Sequence, residues 1–269
     1  MTHQTVSSSD CTHHLGDADR PASVELWFAD LTVCGPALDA IEHATPRLSP
    51  GDIKKISGSA SPAHARERRA AYIALRLLIE RHWGPQWRCI DFTLTGTGKP
   101  LLPGATGGFS LAHVDCFALI GIVAEGTIGV DLEPARQPII ADERRCRIED
   151  AARVIARCAA LPELREPRFL QAWVRLEAVA KADGRGIGRL LTGLGVLGGS
   201  MPDTETGRSA SHAEEIANRF WVQDLPVPQG CVAAAALGAS VTAPAVRHLP
   251  STSKDLEKLV LTPLKPSAA

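Results

Sequence analysis

The stretch TIGVDLEP, residues 127–134, decides how this 269-residue chain is read. Its apolar residues alternate with the others, the period-two pattern of a strand, and Pro134 closes it. Asp131 and Glu133 stand two apart, so a strand sends both carboxylates to one face while the apolar residues between them point into the core. Two convergent carboxylates at a strand end suit a hard divalent cation such as Mg²⁺, which takes oxygen ligands and keeps waters for a phosphate substrate. The same pattern also describes a solvated strand terminus.

Upstream of this strand, VELWFADL (24–31) reads as a first strand. Residues 45–65 are punctuated by Pro, Gly and Ser and read as a loop with a short helix. AHARERRAAYIALRLLIERH (63–82) has helical apolar spacing and ends at Gly84 and Pro85. FTLT (92–95) leads into the turn GTGKP (96–100), and FSLAHVDCFALIGIVA (109–124) reads as a strand pair turning near Val114–Asp115.

Downstream, 142–160 and 167–183 are helical in pattern, 184–200 is a glycine-rich loop and 201–215 reads as mobile. Residues 219–238 read as two strands with a turn at Pro228–Gly230. Beyond 240 a tail rich in Ala, Pro and Ser is expected, in which DLEKLVL is able to form a short docking helix. The order predicts an α+β fold with two roughly similar halves, 23–125 and 126–240. A flexible leader over 1–22 and a tail over 241–269 flank them. No internal repeat is visible.

Bulk properties exclude several classes. Net charge is −1, which argues against a general nucleic-acid binder. Seven cysteines, an odd number, occur without metal-knuckle spacing, so neither a disulfide framework nor a zinc site is indicated. The first residues lack the apolar core of a signal peptide, and no run is long enough to span a membrane. A cytoplasmic monomer is the expectation.

Four further segments carry candidate chemistry. In FLQAWVRLEAVAKADGRG (169–186), Trp173, Glu177 and Lys181 recur every four residues and so share one helix stripe. Glu177 is placed to complete a carboxylate cluster with Asp131 and Glu133, one turn from Lys181. An ordinary surface ion pair is the plainer reading. The GTGKPLL turn is not a phosphate-binding P-loop, because Pro100 stands where a metal-ligating hydroxyl must be, but Lys99 is able to meet a phosphate as a point charge. FSLAHVD carries His113 on a strand. Its Ser110 grazes the nucleophile-elbow pattern of serine hydrolases, which needs a strand, a sharp turn and a helix. On the first long helix Arg69 and Arg76 lie seven apart, on one face, and are candidates to grip a phosphate.

In this order the motifs resemble the 4′-phosphopantetheinyl transferase superfamily, in its single-chain, surfactin-synthetase-activating type. Lys99 and Pro100 match a G-K-P turn. Phe109, Ser110, Leu111 and His113 match an F-N-x-S-H segment. Ile128 to Glu133 match (I/V)-G-(I/V)-D-(I/L)-E. Trp173, Glu177, Ala178, Lys181 and Gly184 match W-x-x-K-E-A-x-x-K-x-x-G. Leu176 departs from the first lysine of that last motif, Ala112 from the serine before the histidine, and Ser110 from the asparagine.

The resemblance implies two pseudo-twofold-related α+β halves with coenzyme A in the cleft between them. It implies Mg²⁺ on Asp131, Glu133 and Glu177, with Glu177 as base and Lys181 beside the leaving group. Lys99, Pro100, Ser110, His113 and Arg69 or Arg76 would hold coenzyme A. The implied reaction moves phosphopantetheine onto a serine of an acyl or peptidyl carrier protein. Two alternatives are a coenzyme A- or carrier-binding protein without turnover and, more remotely, a serine hydrolase using Ser110.

Overall fold

A computed structural model describes residues 24–136, 139–158, 163–197, 203–238 and 245–262, and the expected leader lies outside them. The architecture is α+β, with four layers ordered helix, sheet, sheet, helix.

The first sheet has the order β4-β5-β1-β9, built from β1 (Val24–Asp30), β4 (Gly108–Val114), β5 (Phe117–Val123) and β9 (Val246–His248). β5 runs antiparallel to β1 and to β4, and β9 runs parallel to β1. One face of this sheet, with Trp27, Ala29, Ile120 and Ile122, packs against α1 (Leu31–Ala44), α3 (Pro62–Trp83) and α8 (Ser253–Leu261). Burial is nearly complete there: Leu38, Ile73, Leu77 and Leu78 lose all solvent contact. Apolar burial of this kind is the main favourable contribution to folding.

The second sheet is β6-β8-β7, all antiparallel, from β6 (Ile128–Pro134), β7 (Phe220–Asp224) and β8 (Cys231–Gly238). Its inner face, with Ile128, Val130 and Leu132, meets Leu26, Phe28 and Leu119 of the first sheet. Gly121 permits that approach, since a Cβ there would stand 2.5 Å from Ile128 Cδ1. Val130 N–H donates to Ser110 Oγ at 3.0 Å, one polar stitch between the sheets. The outer face carries α5 (Arg168–Asp183), with α4 (Asp142–Cys158), α6 (Ile187–Gly193) and α7 (Asp203–Arg219) around it.

A second close approach sets the site. A Cβ on Gly129 would lie 2.0 Å from Ala178 O and 2.4 Å from Ala182 N. The glycine therefore lets α5 rest directly on the β6 backbone, which brings the Glu177/Lys181 stripe over Asp131 and Glu133.

Several expectations are corrected. Residues 203–219, read as mobile up to 215, form α7, whose docking rests on fully buried Ala213 and nearly buried Ile216. Part of the glycine-rich loop is helix α6. Within the expected tail, β9 joins the first sheet, and α8 takes in the DLEKLVL segment, expected to be able to form a short docking helix. Leu256 is completely buried, and Arg81 Nη1 donates to the Leu259 and Thr262 carbonyls at 2.7 and 2.6 Å. α2 (Pro50–Ser57) is the short helix expected within 45–65, opened by a Ser49–Asp52 capping box. Among the described residues no helix is long and apolar enough to cross a membrane.

Candidate active site

The carboxylate pair does face α5. Asp131 and Glu133 project from β6 toward Glu177 and Lys181, and the four line one open cavity of about 330 Å³ with Leu111, His113 and Val114. Lys181 Nζ donates to Asp131 Oδ1 at 2.6 Å, while Asp131 Oδ2 is buried with no hydrogen-bond partner. Trp173, on the same helix stripe, partly opposes the upward shift of the Glu133 carboxyl. The W-x-x-x-E-x-x-x-K spacing thus puts three side chains over one strand face, as the helical period demands.

Electrostatics mark this cluster as short of positive charge, Lys181 being its one cation, among the described residues, against three carboxylates. Burial pushes the Asp131 carboxyl above its ordinary range, and Lys181 opposes the shift only in part. Glu133 is raised by burial and then by the charge of Asp131. Glu177 is raised by burial and then by Asp131, with Glu133 adding to it. Three carboxylates that repel one another are what a bound cation relieves.

Among the described residues, no three His, Cys, Asp or Glu side chains are gathered tightly enough to cage a metal as they stand. The donor chemistry nevertheless fits a hard cation. All the donors are carboxylate oxygens, one of them is buried and unpartnered, and a cavity opens beside them. Mg²⁺ needs only one or two protein carboxylates when substrate phosphates and waters supply the rest.

A second cavity of about 370 Å³ shares Leu111, His113, Glu177 and Lys181 with the first, so the two form one cleft. This arm is more apolar. Tyr72, Leu75, Phe92, Phe109, Pro100 and Ile187 line it together with the stems of Lys55 and Lys99. An apolar chamber with a few convergent polar groups is the usual make-up of a small-molecule site.

The expected phosphate-holding residues divide. His113 lines both arms, half-buried. Its pKa is lowered by burial first and then by the nearby charges of Arg68, Lys181 and His64. Pro100 lines the apolar arm. Lys99 also lines it, but its ammonium donates to Ala182 O at 2.9 Å. Ser110 is buried in the middle of β4, accepting from Val130 N–H, and no helix follows it, so the nucleophile-elbow reading fails.

The two arginines lie outside the lining of the cleft. Arg69 makes a surface pair with Asp39 at 2.9 Å and lines neither arm. Arg76 is 2% exposed and satisfied by Asp52, Ser49 Oγ and the Ile90 carbonyl, at 2.7, 3.0 and 2.7 Å. It supports the cleft from beneath, its guanidinium 3.8 Å from the Phe92 ring centre.

Sequence reasoning missed Lys55 and Tyr72 in the wall and His64 and Arg68 behind His113. A signal was available. His64, Arg68, Tyr72 and Arg76 recur every four residues on α3, one helix stripe directed toward the cleft and its floor.

The two departures from the family pattern also have structural accounts. Leu176 is 1% exposed and packs in the core around α5, away from the carboxylates. Ala112 lines the acidic arm while its side chain closes the inter-sheet core.

No family model matches the chain. A protein of Synechocystis sp. (strain ATCC 27184 / PCC 6803 / Kazusa), described as "Putative 4'-phosphopantetheinyl transferase slr0495", is 32% identical over 122 residues, 43% of this chain. The chain spans about half the length of that relative, 48% of it. The similarity is distant and speaks at the level of the superfamily.

Proposed function

We propose that this chain is a 4′-phosphopantetheinyl transferase, which moves phosphopantetheine from coenzyme A to a serine of an apo acyl or peptidyl carrier protein. The observation that carries the reading is the meeting of Asp131, Glu133, Glu177 and Lys181 at one end of a cleft whose other end is apolar. The distant relative points to the same chemistry. On the resemblance, the halves 23–125 and 126–240 are pseudo-twofold relatives and coenzyme A lies between them.

Asp131, Glu133 and Glu177 would hold Mg²⁺, with Asp131 Oδ2 the carboxylate oxygen left without a protein partner. When bound, the ion neutralises and aligns the diphosphate for in-line attack. Lys181, hydrogen-bonded to Asp131, would offset charge on the departing group. Lys55 and His113 supply further positive or donor groups along the cleft wall, and Tyr72 and Phe92 offer flat surfaces for the adenine.

The carrier's serine oxygen attacks the phosphorus that bears the pantetheine arm. The bond from that phosphorus to the bridging oxygen breaks, and 3′,5′-ADP leaves with the electron pair. The serine proton passes to Glu177. The raised pKa of Glu177 brings its basicity nearer to working pH, as general-base catalysis requires. The carrier docks by an acidic helix near the cleft, as the resemblance implies.

The test is transfer of labelled phosphopantetheine from coenzyme A to an apo carrier with Mg²⁺. Asp131→Ala and Glu177→Gln should each lower the rate by about 10²-fold or more, the scale of removing one preorganised electrostatic or acid–base group. An Asp131→Ala enzyme as active as wild type overturns the metal assignment. Tight coenzyme A binding with no transfer to any carrier would favour a binding protein instead.

A further inference from the structure

We propose that Lys99 is a positioning residue: its ammonium latches the turn at residues 95–99 onto the C-terminal end of α5, and it does not hold a phosphate of the substrate. The turn is tightly built between β2 (Thr93–Leu94) and β3 (Pro100–Leu101). Thr95 N–H donates to Lys99 O at 2.9 Å, Gly98 N–H to Thr95 O at 2.9 Å, and Lys99 N–H to Thr95 Oγ1 at 3.0 Å. Gly98 takes a positive φ of 88° in it, which glycine adopts without strain. The turn therefore presents Lys99 in a fixed direction.

That direction is toward α5. Lys99 Nζ donates to Ala182 O at 2.9 Å and reaches Ile128 O at 3.5 Å. Ala182 carries one of the last carbonyls of α5, which have no partner inside the helix. A cation at this end also meets the negative pole of the helix. Beside it Thr97 Oγ1 donates to Gly184 O. Gly184 caps α5 in the left-handed conformation, φ 74°, and the Lys99 stem occupies the space its missing side chain leaves, with Cδ 3.0 Å from the place of a Cβ. One ammonium thus ties the end of α5 to the start of β6. Lys181 immediately precedes Ala182, and Asp131 lies three residues beyond Ile128. Burial lowers the Lys99 pKa from 10.5 to about 8, with Asp183 on α5 opposing the shift, so the donor stays charged at neutral pH.

The latch itself stands on geometry alone, and its effect on turnover rests on the transferase reading. Lys99→Met keeps much of the stem and removes the charge. Hydrogen exchange of the ligand-free protein reads the latch directly. The amides at the end of α5 should exchange roughly tenfold to hundredfold faster, the scale of one hydrogen bond to a charged group. Unchanged exchange there overturns the latch even if no transferase activity exists.

Binding then separates positioning from phosphate holding. The ratio of affinities for coenzyme A and 3′-dephospho-coenzyme A should match wild type, both affinities should hold, and kcat should fall about tenfold or more through misplacement of Lys181. Lys99→Arg should restore part of that kcat. A selective loss of coenzyme A affinity would make Lys99 a 3′-phosphate holder, and an equal loss for both ligands would make it a diphosphate holder. Either result refutes the proposal. Should Lys99→Met fail to fold, Thr97→Val removes the neighbouring bond to Gly184, and the same exchange measurement applies.

Discussion

Replacing Gly129 by alanine should disable the site without touching any of its functional side chains. The new Cβ would stand 2.0 Å from Ala178 O and 2.4 Å from Ala182 N, both backbone atoms that no rotamer change moves away. Reaching the start of ordinary contact, 3.4 Å, requires α5 to lift from β6 by about 1.4 Å. Overpacking of this kind costs about 1–3 kcal/mol. For a protein of this size that corresponds to a fall in Tm of roughly 2–5 °C. The helix carries Glu177 and Lys181 with it, and displacement of reacting groups by about 1 Å costs roughly 10²-fold in rate.

Differential scanning calorimetry gives the first quantity and steady-state transfer to an apo carrier the second. Gly35→Ala is the control, because a Cβ there meets nothing within 4 Å. It should leave the rate unchanged. A Gly129→Ala protein with wild-type Tm and rate would refute the idea that direct contact of α5 with β6 assembles the carboxylates and Lys181.

Other consequences follow from the same structure. The pKa values of Asp131, Glu133 and Glu177 are raised on folding. The metal-free protein should therefore lose stability as pH climbs from the ordinary carboxylate range through the raised values, because the unfolded chain releases those protons first. Added Mg²⁺ should reverse this. At 100 times its Kd the gain is about 2.7 kcal/mol, it should grow across the same pH window, and Asp131→Asn should flatten both effects in thermal melts. Arg76→Met leaves the Asp52 carboxylate buried without its partner and should cost about 3–5 kcal/mol in denaturant unfolding. Its coenzyme A affinity should be that of wild type in calorimetric titration, since Arg76 lines neither arm of the cleft. Leu256→Ala should cost about 2–5 kcal/mol and expose β9 to faster hydrogen exchange, because α8 anchors residues 245–262 to α1 and α3.

Much of this organisation is legible in the sequence where a single periodicity dominates. β6 and α5 each follow the period of their own element, so the two-residue spacing of Asp131 and Glu133 and the four-residue spacing of Trp173, Glu177 and Lys181 translate directly into shared faces. The long helix α3 is legible for the same reason. By contrast, α1 contains Gly35 and Pro36 and starts immediately at Asp30, the last residue of β1, whose side chain caps it. Local propensity argues against that helix, and its buried face against α3 decides the matter. α7 is nearly all polar and is held by Ala213, Ile216 and ion pairs such as Arg219–Asp183, contacts that no local pattern announces. β9 pairs with a strand more than two hundred residues earlier.

The candidate site divides along the same line. Carboxylate placement follows from local spacing. The fate of a basic side chain depends on which partners the fold delivers. Arg76 meets Asp52, Ser49 and Ile90 from α2 and the loop that follows the 3₁₀ turn at Pro85–Trp87, and so is spent on structure. Lys55 and Tyr72 reach the cleft only because α2 and α3 pack together beside it.

The most direct measurement is mass analysis of an apo acyl or peptidyl carrier incubated with the full chain, coenzyme A and Mg²⁺. The account predicts a carrier carrying one phosphopantetheine on its serine and an equal amount of 3′,5′-ADP, both abolished by chelation and by Glu177→Gln. An unmodified carrier across both classes, with coenzyme A bound and intact in the cleft, would contradict it.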